Sequence, residues 1–151
     1  MATNMVYRYD GEKTRSRALS TIVNPSTTPT VIQPGVPVIF GDGPAVSLTA
    51  SGNATVTKST NLPGGLTSVT YGNGGVGNSA SPASASFAFD GSWDLAVTGA
   101  TTSTATGEKV YMIPATGVLT LTASTNVLFG FTDYPEGFAK VAGRAVVKIG
   151  A

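Results

Sequence analysis

GEKVYMIPATGVLTLTASTNVLFG, residues Gly107–Gly130, is predicted to form three short β-strands with their turns. Its apolar residues alternate with polar ones, which predicts short β-strands because successive side chains of a strand point to opposite faces. The first strand, Lys109–Ile113, has Val110 and Met112 on one face and Tyr111 and Ile113 on the other, so both faces are expected to be at least partly covered. A proline and a glycine follow it, so the chain is expected to turn before the next strand begins.

The next two strands of this stretch follow the same rule. Val118–Thr122 has leucines on one face, whereas Thr120 and Thr122 are expected to face solvent. After a polar turn, three apolar residues share one face of the third strand: Val127, Phe129 and Phe131. Gly130 separates two aromatic residues and is expected to let a neighbouring strand approach closely.

The composition argues against most catalytic chemistry. The chain of 151 residues contains no cysteine and no histidine, which removes disulfides, thiolates, imidazole catalysis and the common nitrogen and sulfur metal ligands. Its eight acidic residues include no clustered pair suited to acid–base catalysis. We therefore predict a protein that is not an enzyme, with no catalytic residue, no metal site and no cofactor.

The low charge of the chain is typical of a component of an assembly. Charged residues make up 11% of the sequence, against about 25% in a typical soluble domain. The net charge of +1 argues against nucleic acid or an anionic membrane as a partner. The sequence has neither a run of about 20 apolar residues nor a signal-peptide pattern, so we expect synthesis in the cytoplasm.

The first part of the chain, Met1–Ser20, differs from the remainder. It holds four basic and two acidic residues, a net charge of +2, whereas the remainder has five basic and six acidic residues, a net charge of −1. Two interpretations stay open: a solvated, frayed terminus, or an extended arm that becomes ordered on a partner surface. The candidate binding residues of such an arm are Val6, Tyr7, Arg8, Tyr9, Lys13, Arg15 and Arg17.

Residues 21–151 are predicted to form a single β domain with a loop-containing insertion at 51–85 that is rich in glycine and serine. Weak strands are expected within the insertion at Ala54–Thr57 and Leu66–Tyr71. The glycines of residues 72–77 have the spacing of a dinucleotide fingerprint, but no helical pattern follows and no lysine is near. A surface loop is therefore favoured there over a nucleotide site.

Asp90-Gly91 predicts a hairpin between two alternating strands, because this dipeptide favours tight turns. Phe87 and Phe89 share a face before the turn, and Trp93 begins the apolar face after it. These rings are expected to dominate this half of the core, since each aromatic side chain buries roughly 150 to 250 Å². A sugar-stacking platform built on an exposed Trp93 is the alternative.

Ala145, Val147 and Ile149 predict a further strand, with Arg144 and Lys148 on its other face. No window of the sequence has sustained helical periodicity. We therefore predict an all-β fold, a small β-barrel or β-tulip-like domain with an extended N-terminal arm. About eight to ten short antiparallel strands would close, or nearly close, to limit exposed edges.

The order of these motifs resembles the family of small tailed-phage capsid decoration (cement) proteins described as DUF2190. The resemblance covers residues 21–151 and consists of turns and apolar positions, without a reactive signature. The matching motifs are GVPVIFG at Gly35–Gly41, AVSLT at Ala45–Thr49, GSWDL at Gly91–Leu95, GEKVY at Gly107–Tyr111, LTLT at Leu119–Thr122, NVLFG at Asn126–Gly130 and VVKI at Val146–Ile149. The long insertion and the basic arm depart from the family pattern, so features peculiar to this protein are expected there.

The resemblance implies a structural virion protein on the outer surface of an icosahedral bacteriophage capsid. It implies that the domain bridges neighbouring subunits of the major capsid protein and stabilises the capsid, commonly as a homotrimer. Two other binding functions stay open as alternatives: a phage tail or fibre domain, and a carbohydrate-binding β-module that exposes Trp93 or Tyr71.

Overall fold

The computed structural model describes residues 4–7, 13–51, 55–59, 68–72 and 83–150, with Tyr7, 55–59 and 68–72 described by their backbone alone. This part of the chain contains thirteen β-strands and one 3₁₀ turn at Leu19–Thr21. The strands are β1 (Met5–Tyr7), β2 (Thr14–Ala18), β3 (Ile22–Asn24), β4 (Pro37–Phe40), β5 (Gly43–Ser47), β6 (Thr55–Ser59), β7 (Ser68–Gly72), β8 (Ser84–Ala88), β9 (Gly91–Thr98), β10 (Lys109–Met112), β11 (Leu119–Thr120), β12 (Val127–Thr132) and β13 (Arg144–Ile149). The predicted all-β fold class is confirmed, with more strands than expected.

Five strands close into a barrel in the order β9, β11, β10, β12, β13, because β13 pairs back onto β9. The small barrel predicted from the sequence is therefore confirmed. The prediction that its strands are all antiparallel is wrong at one pair, since β9 and β11 run parallel with Leu119 opposite Val97. The reason is the order of the strands. β10 runs antiparallel to β9 but is not its neighbour, and β11 lies between them, antiparallel to β10 and therefore parallel to β9.

A second sheet has the order β2, β8, β5, β4, β3, while β6 and β7 pair as a separate hairpin that matches the two weak strands expected in the insertion. Strands β8 and β9 therefore lie in different sheets, and the predicted hairpin at Asp90-Gly91 is wrong. Gly91 does redirect the chain, with φ of +103°. The strands separate because Phe87 is buried in the cluster of the second sheet, whereas Trp93 is buried inside the barrel.

Two apolar clusters form the core. The barrel cluster includes Trp93, which is fully buried and donates its indole N–H to the carbonyl of Asp90 at 3.0 Å. The buried faces predicted for β9, β10, β11 and β13 lie in this cluster and comprise Trp93, Leu95, Val97, Val110, Met112, Leu119, Ala145, Val147 and Ile149. In the second cluster Phe40 packs edge-to-face on Phe87, with ring centroids 4.8 Å apart. Both faces of the second sheet are therefore packed. In β5, Ala45 lies in the second cluster, whereas its neighbour Val46 points to the other face and lies in the barrel cluster.

A β-bulge in β12 overturns one expectation. Val110 of β10 pairs with Gly130, and the next residue, Tyr111, pairs with Leu128, which leaves Phe129 as the extra residue of the bulge. Phe129 is buried, but Phe131 is 43% exposed because the bulge reverses the alternation beyond it. Val127 is 36% exposed as well. Val127 pairs with the buried Met112 and so shares the inner face with Phe129, and the expected common face of the three residues is wrong at Phe131 alone.

Two further positions in this stretch can be compared with expectation. Thr120 is buried and does not face solvent, because it lies between Tyr111 and Thr98 on the neighbouring strands. At Gly130 the predicted close approach is confirmed, since an added Cβ would overlap the carbonyl oxygen of Lys148 in β13. The barrel therefore closes between β12 and β13 around a residue without a side chain.

Candidate functional site

The N-terminal segment, predicted to bind a partner, belongs to the domain wherever the structure describes it. β1 pairs with β9, and the amide of Asp94 donates to the carbonyl of Asn4 at 2.8 Å. β2 pairs along its whole length with β8. Ser20 lies inside the 3₁₀ turn, and its neighbour Leu19 is buried in the second cluster. The described residues are extended as predicted, but the domain's own sheets use their backbone.

The basic residues of this segment differ in their surroundings. Lys13 and Arg15 are exposed, and within the described part of the chain neither forms an ion pair. Arg17 is half-buried and donates to the Asp42 carboxylate at 2.5 Å, with its guanidinium carbon 5.9 Å from the centroid of the Phe89 ring. Arg17 thus joins β2 to the β4–β5 turn, whereas Lys13 and Arg15 are the described cations of this segment that stay exposed without an ion pair.

The apolar and aromatic candidates of the segment lie elsewhere. Val6 is half-buried in β1, and Tyr7 ends that strand opposite Ser92. Arg8 and Tyr9 fall outside the described residues. The structure does not bring the described candidates together in one strand or sheet, because β1 extends the sheet of the barrel and β2 is an edge strand of the second sheet.

A different candidate surface lies on the outer side of the barrel around Phe131. Phe131 is directly opposite Lys109 on β10 and directly opposite Lys148 on β13. Neighbouring strands are about 4.8 Å apart, so an aromatic residue sits between two lysines in one row across the sheet. Tyr111 and Leu128 are paired in the adjacent row, and Leu128 is 44% exposed. Together these five residues form the outer face.

A groove of about 540 Å³ runs beside the outer face. Its walls come from β12 and the end of β13, with a contribution from Pro44 of β5. β12 is six residues long, and its registered pairs with β13 are Phe131 with Lys148 and Thr132 with Val147. Because β13 ends at Ile149, residues 127–129 of β12 lie beyond it, which leaves an opening. The groove occupies this opening, and its lining is mainly apolar side chains and glycine backbone.

A smaller groove, of about 360 Å³, lies where Asn4 approaches Gly35. The Asn4 Nδ2 donates to the carbonyl of Gly35 at 3.2 Å, and its Oδ1 is buried without a hydrogen-bond partner in the described part of the chain. Arg144 and Asp94 line the same groove and form an ion pair at 3.1 Å. Because these two charges neutralise each other, the groove offers a partner less electrostatic attraction than the outer face does.

The titratable groups of the described residues do not form a catalytic arrangement. No group of three or more acidic, histidine or cysteine side chains among them could hold a metal ion. Burial, followed by the carboxylates of Glu108 and Asp94, raises the pKa of Tyr134, whose hydroxyl is buried without a hydrogen-bond partner among these residues. The Lys140 ammonium lies 4.4 Å from the ring centroid of Tyr134. A phenol with a raised pKa stays protonated at neutral pH, so this group is not an activated nucleophile.

The structure also bears on two sequence-based possibilities. Trp93 is fully buried, so it does not provide the exposed indole that a sugar-stacking platform requires. Tyr71, the other candidate for such a platform, lies outside the described side chains. Across the ranges that the structure covers, no helix has the length and apolar character needed to span a membrane.

Comparisons with known proteins identify no relative: no family model, no curated protein and no solved structure matches this chain. Sequence reasoning missed the outer face because strict alternation places Phe131 inside the barrel. The available signal was Gly130, since a glycine inside a strand often marks a bulge.

Proposed function

We propose that this protein is a decoration (cement) protein of a tailed-phage capsid, which binds the outer surface of the assembled shell and bridges neighbouring major capsid subunits. The proposal is supported by the positions of the motifs that resemble those of the decoration-protein family. One motif falls on each barrel strand: GSWDL on β9, GEKVY on β10, LTLT on β11, NVLFG on β12 and VVKI on β13. These motifs therefore build a barrel, the fold that the resemblance implies.

The physical mechanism is stabilisation by mass action. A protein that binds the assembled shell, and not its separated subunits, stabilises the shell by about 2.7 kcal/mol per site at a hundredfold excess over Kd. Contact with two subunits at once raises the effective concentration of the second contact. The low content of charged residues, 11%, limits the cost of desolvating the surfaces that meet.

Within this proposal, Lys13 and Arg15 contact the shell. Both are exposed at β2, and among the described strands β2 pairs with β8 alone. An extended acidic segment of a capsid subunit can therefore pair with the strand edge and with the two cations together. Arg17 belongs to the fold through its ion pair with Asp42.

The proposal is tested with purified expanded shells that lack this protein. We expect the protein to sediment with the shells at a fixed ratio and to raise the temperature at which they come apart. The double variant Lys13→Ser/Arg15→Ser is expected to lower occupancy, and Glu136→Ser, which removes an exposed charge from a distant loop, is the matched control. Deletion of Met1–Ser20 is unsuitable because it removes β1, β2 and the buried Leu19.

The two parts of this test fail separately. If the wild-type protein does not bind expanded shells, the proposed function is wrong. If the double variant binds as well as the wild-type protein and the Glu136→Ser control, the contact through β2 is wrong while the function stands.

A further inference from the structure

The opening between β12 and β13 leaves part of a barrel strand without a partner. Val127 and Leu128 of β12 pair with β10 on one side, and in the described part of the chain no strand pairs with them on the other side. An unpaired strand edge presents main-chain N–H and C=O groups to any extended chain that lies along it. This edge borders the groove beside the outer face.

Two large apolar side chains are exposed around this edge. Leu128 and Phe131 are 44% and 43% exposed, and Pro44 and Ile149 also line the groove. Contiguous apolar surface of this kind marks interaction sites on soluble proteins. An aliphatic or aromatic side chain of a partner is therefore the group that the groove accommodates.

Two lysines lie at the outer face beside the groove. Lys109, opposite Phe131, is exposed and forms no ion pair within the described ranges. Lys148 lies on the other side of Phe131 and lines the groove. The acidic residue in the lining is Asp133, whose carboxylate accepts a hydrogen bond from the Ser92 hydroxyl at 3.0 Å. Carboxylates on a partner complement this arrangement.

We propose that the outer face and its groove bind an extended segment of a partner protein in which apolar residues alternate with acidic ones. The segment adds as a strand along the open edge of β12 and places an apolar side chain against Leu128 and Phe131. Its carboxylates lie towards Lys109 and Lys148. The site is separate from Lys13 and Arg15 of β2, and it does not depend on the partner being a capsid subunit.

A single-stranded nucleic acid is the competing occupant, because bases stack on exposed aromatic rings while phosphates pair with lysines. Two observations favour a peptide. The lining of the groove is mainly apolar and an open strand edge borders it, features that a polyphosphate chain does not use. The net charge of the protein is only +1, whereas binding of nucleic acid depends on neutralising many phosphates.

Fluorescence anisotropy with labelled probes and the full-length protein tests the proposal. The main probe is a short synthetic peptide that repeats Asp-Val-Asp-Phe. One control peptide has lysine in place of each aspartate, a second has serine in place of each valine and phenylalanine, and a thymidine oligonucleotide represents nucleic acid. We expect the acidic apolar peptide to bind with a Kd of about 1–100 µM, and both control peptides to bind at least about tenfold more weakly.

Variants of the protein locate the site. Phe131→Ser and Lys109→Glu are each expected to weaken binding of the acidic apolar peptide by about tenfold. Val141→Ser removes a valine that is 56% exposed and lies outside the groove, so it is the matched control and is expected to leave Kd unchanged. Thermal unfolding verifies that each variant is folded as the wild-type protein is.

Three results would overturn the proposal. The first is no binding of the acidic apolar peptide up to about 1 mM. The second is binding that persists unchanged in a folded Phe131→Ser protein. The third is binding of the oligonucleotide that Phe131→Ser abolishes, which would assign the outer face to nucleic acid.

Discussion

Replacing Gly130 by alanine is expected to disrupt the closure of the barrel. The added Cβ would overlap the main-chain carbonyl oxygen of Lys148, and it would lie 3.0 Å from Val147 Cγ1 and 3.3 Å from Ile149 Cγ2. A main-chain oxygen cannot rotate away as the end of a flexible side chain can, so β13 must move away from β12. That movement weakens a ladder that contains only two registered pairs.

The size of the effect follows from two contributions. Overpacking a buried site costs about 1–3 kcal/mol, and each ladder hydrogen bond that is lost removes about 1 kcal/mol of net stability. We therefore expect the free energy of unfolding to fall by about 3 kcal/mol, which lowers Tm by about 6–12 °C in a domain of this size.

Urea unfolding followed by near-ultraviolet circular dichroism measures this loss, since Trp93 is buried in the same barrel. Gly41→Ala is the matched control because no heavy atom lies within 4 Å of an ideal Cβ at Gly41. This control is expected to stay within about 0.5 kcal/mol of the wild-type protein. If Gly130→Ala is as stable as Gly41→Ala, the close approach of β12 and β13 is wrong.

Three further predictions concern single residues. Ser124 has φ of +35°, so Ser124→Gly should relieve strain and raise the free energy of unfolding by about 0.5 kcal/mol in thermal denaturation; a lower stability would contradict this account. Trp93→Ala should cost about 3–5 kcal/mol, measured by far-ultraviolet circular dichroism because Trp93 is the protein's one tryptophan; a loss below about 1 kcal/mol would mean that the indole is not in the core. The pKa of Tyr134 is raised by burial from its ordinary value of 10.0, so above pH 10.0 the unfolded chain loses this proton before the folded one does, and stability should fall as pH rises. A series of urea titrations from neutral to alkaline pH should show a smaller fall for Tyr134→Phe, and an identical fall would refute the assignment.

Local alternation was sufficient to predict most of the barrel core. Val110 and Met112 of β10 and Ile149 of β13 are buried as the pattern indicates. Val146, which shares its face of β13 with Arg144 and Lys148, is also buried, and alternation did not predict that. Trp93 was also placed correctly, because a large ring that alternates inward on a strand is buried wherever that strand packs. These predictions succeed because they depend on neighbours along the chain.

The predictions that failed depend on partners distant in sequence. Asp90-Gly91 has the composition of a hairpin turn, but whether β8 pairs with β9 depends on which other strands occupy their edges. The exposure of Phe131 depends on a bulge that is defined only when β12 is aligned with β10. The pairing of β1 with β9 likewise joins segments on either side of the insertion, and no local pattern in Met5–Tyr7 predicts it.

The pairing of β9 has a consequence for synthesis on the ribosome. This strand bonds to β1, β11 and β13, and the barrel closes where Gly91 meets Ile149. The apolar side of β9, which includes Trp93, therefore lacks its partner strand β13 until the chain has been synthesised as far as Ile149 and this part has left the ribosome. Long-range pairing of this kind slows folding, and strands without partners promote aggregation. Until Ile149 pairs with Gly91, the open edge and apolar side chains of β9 can contact other chains.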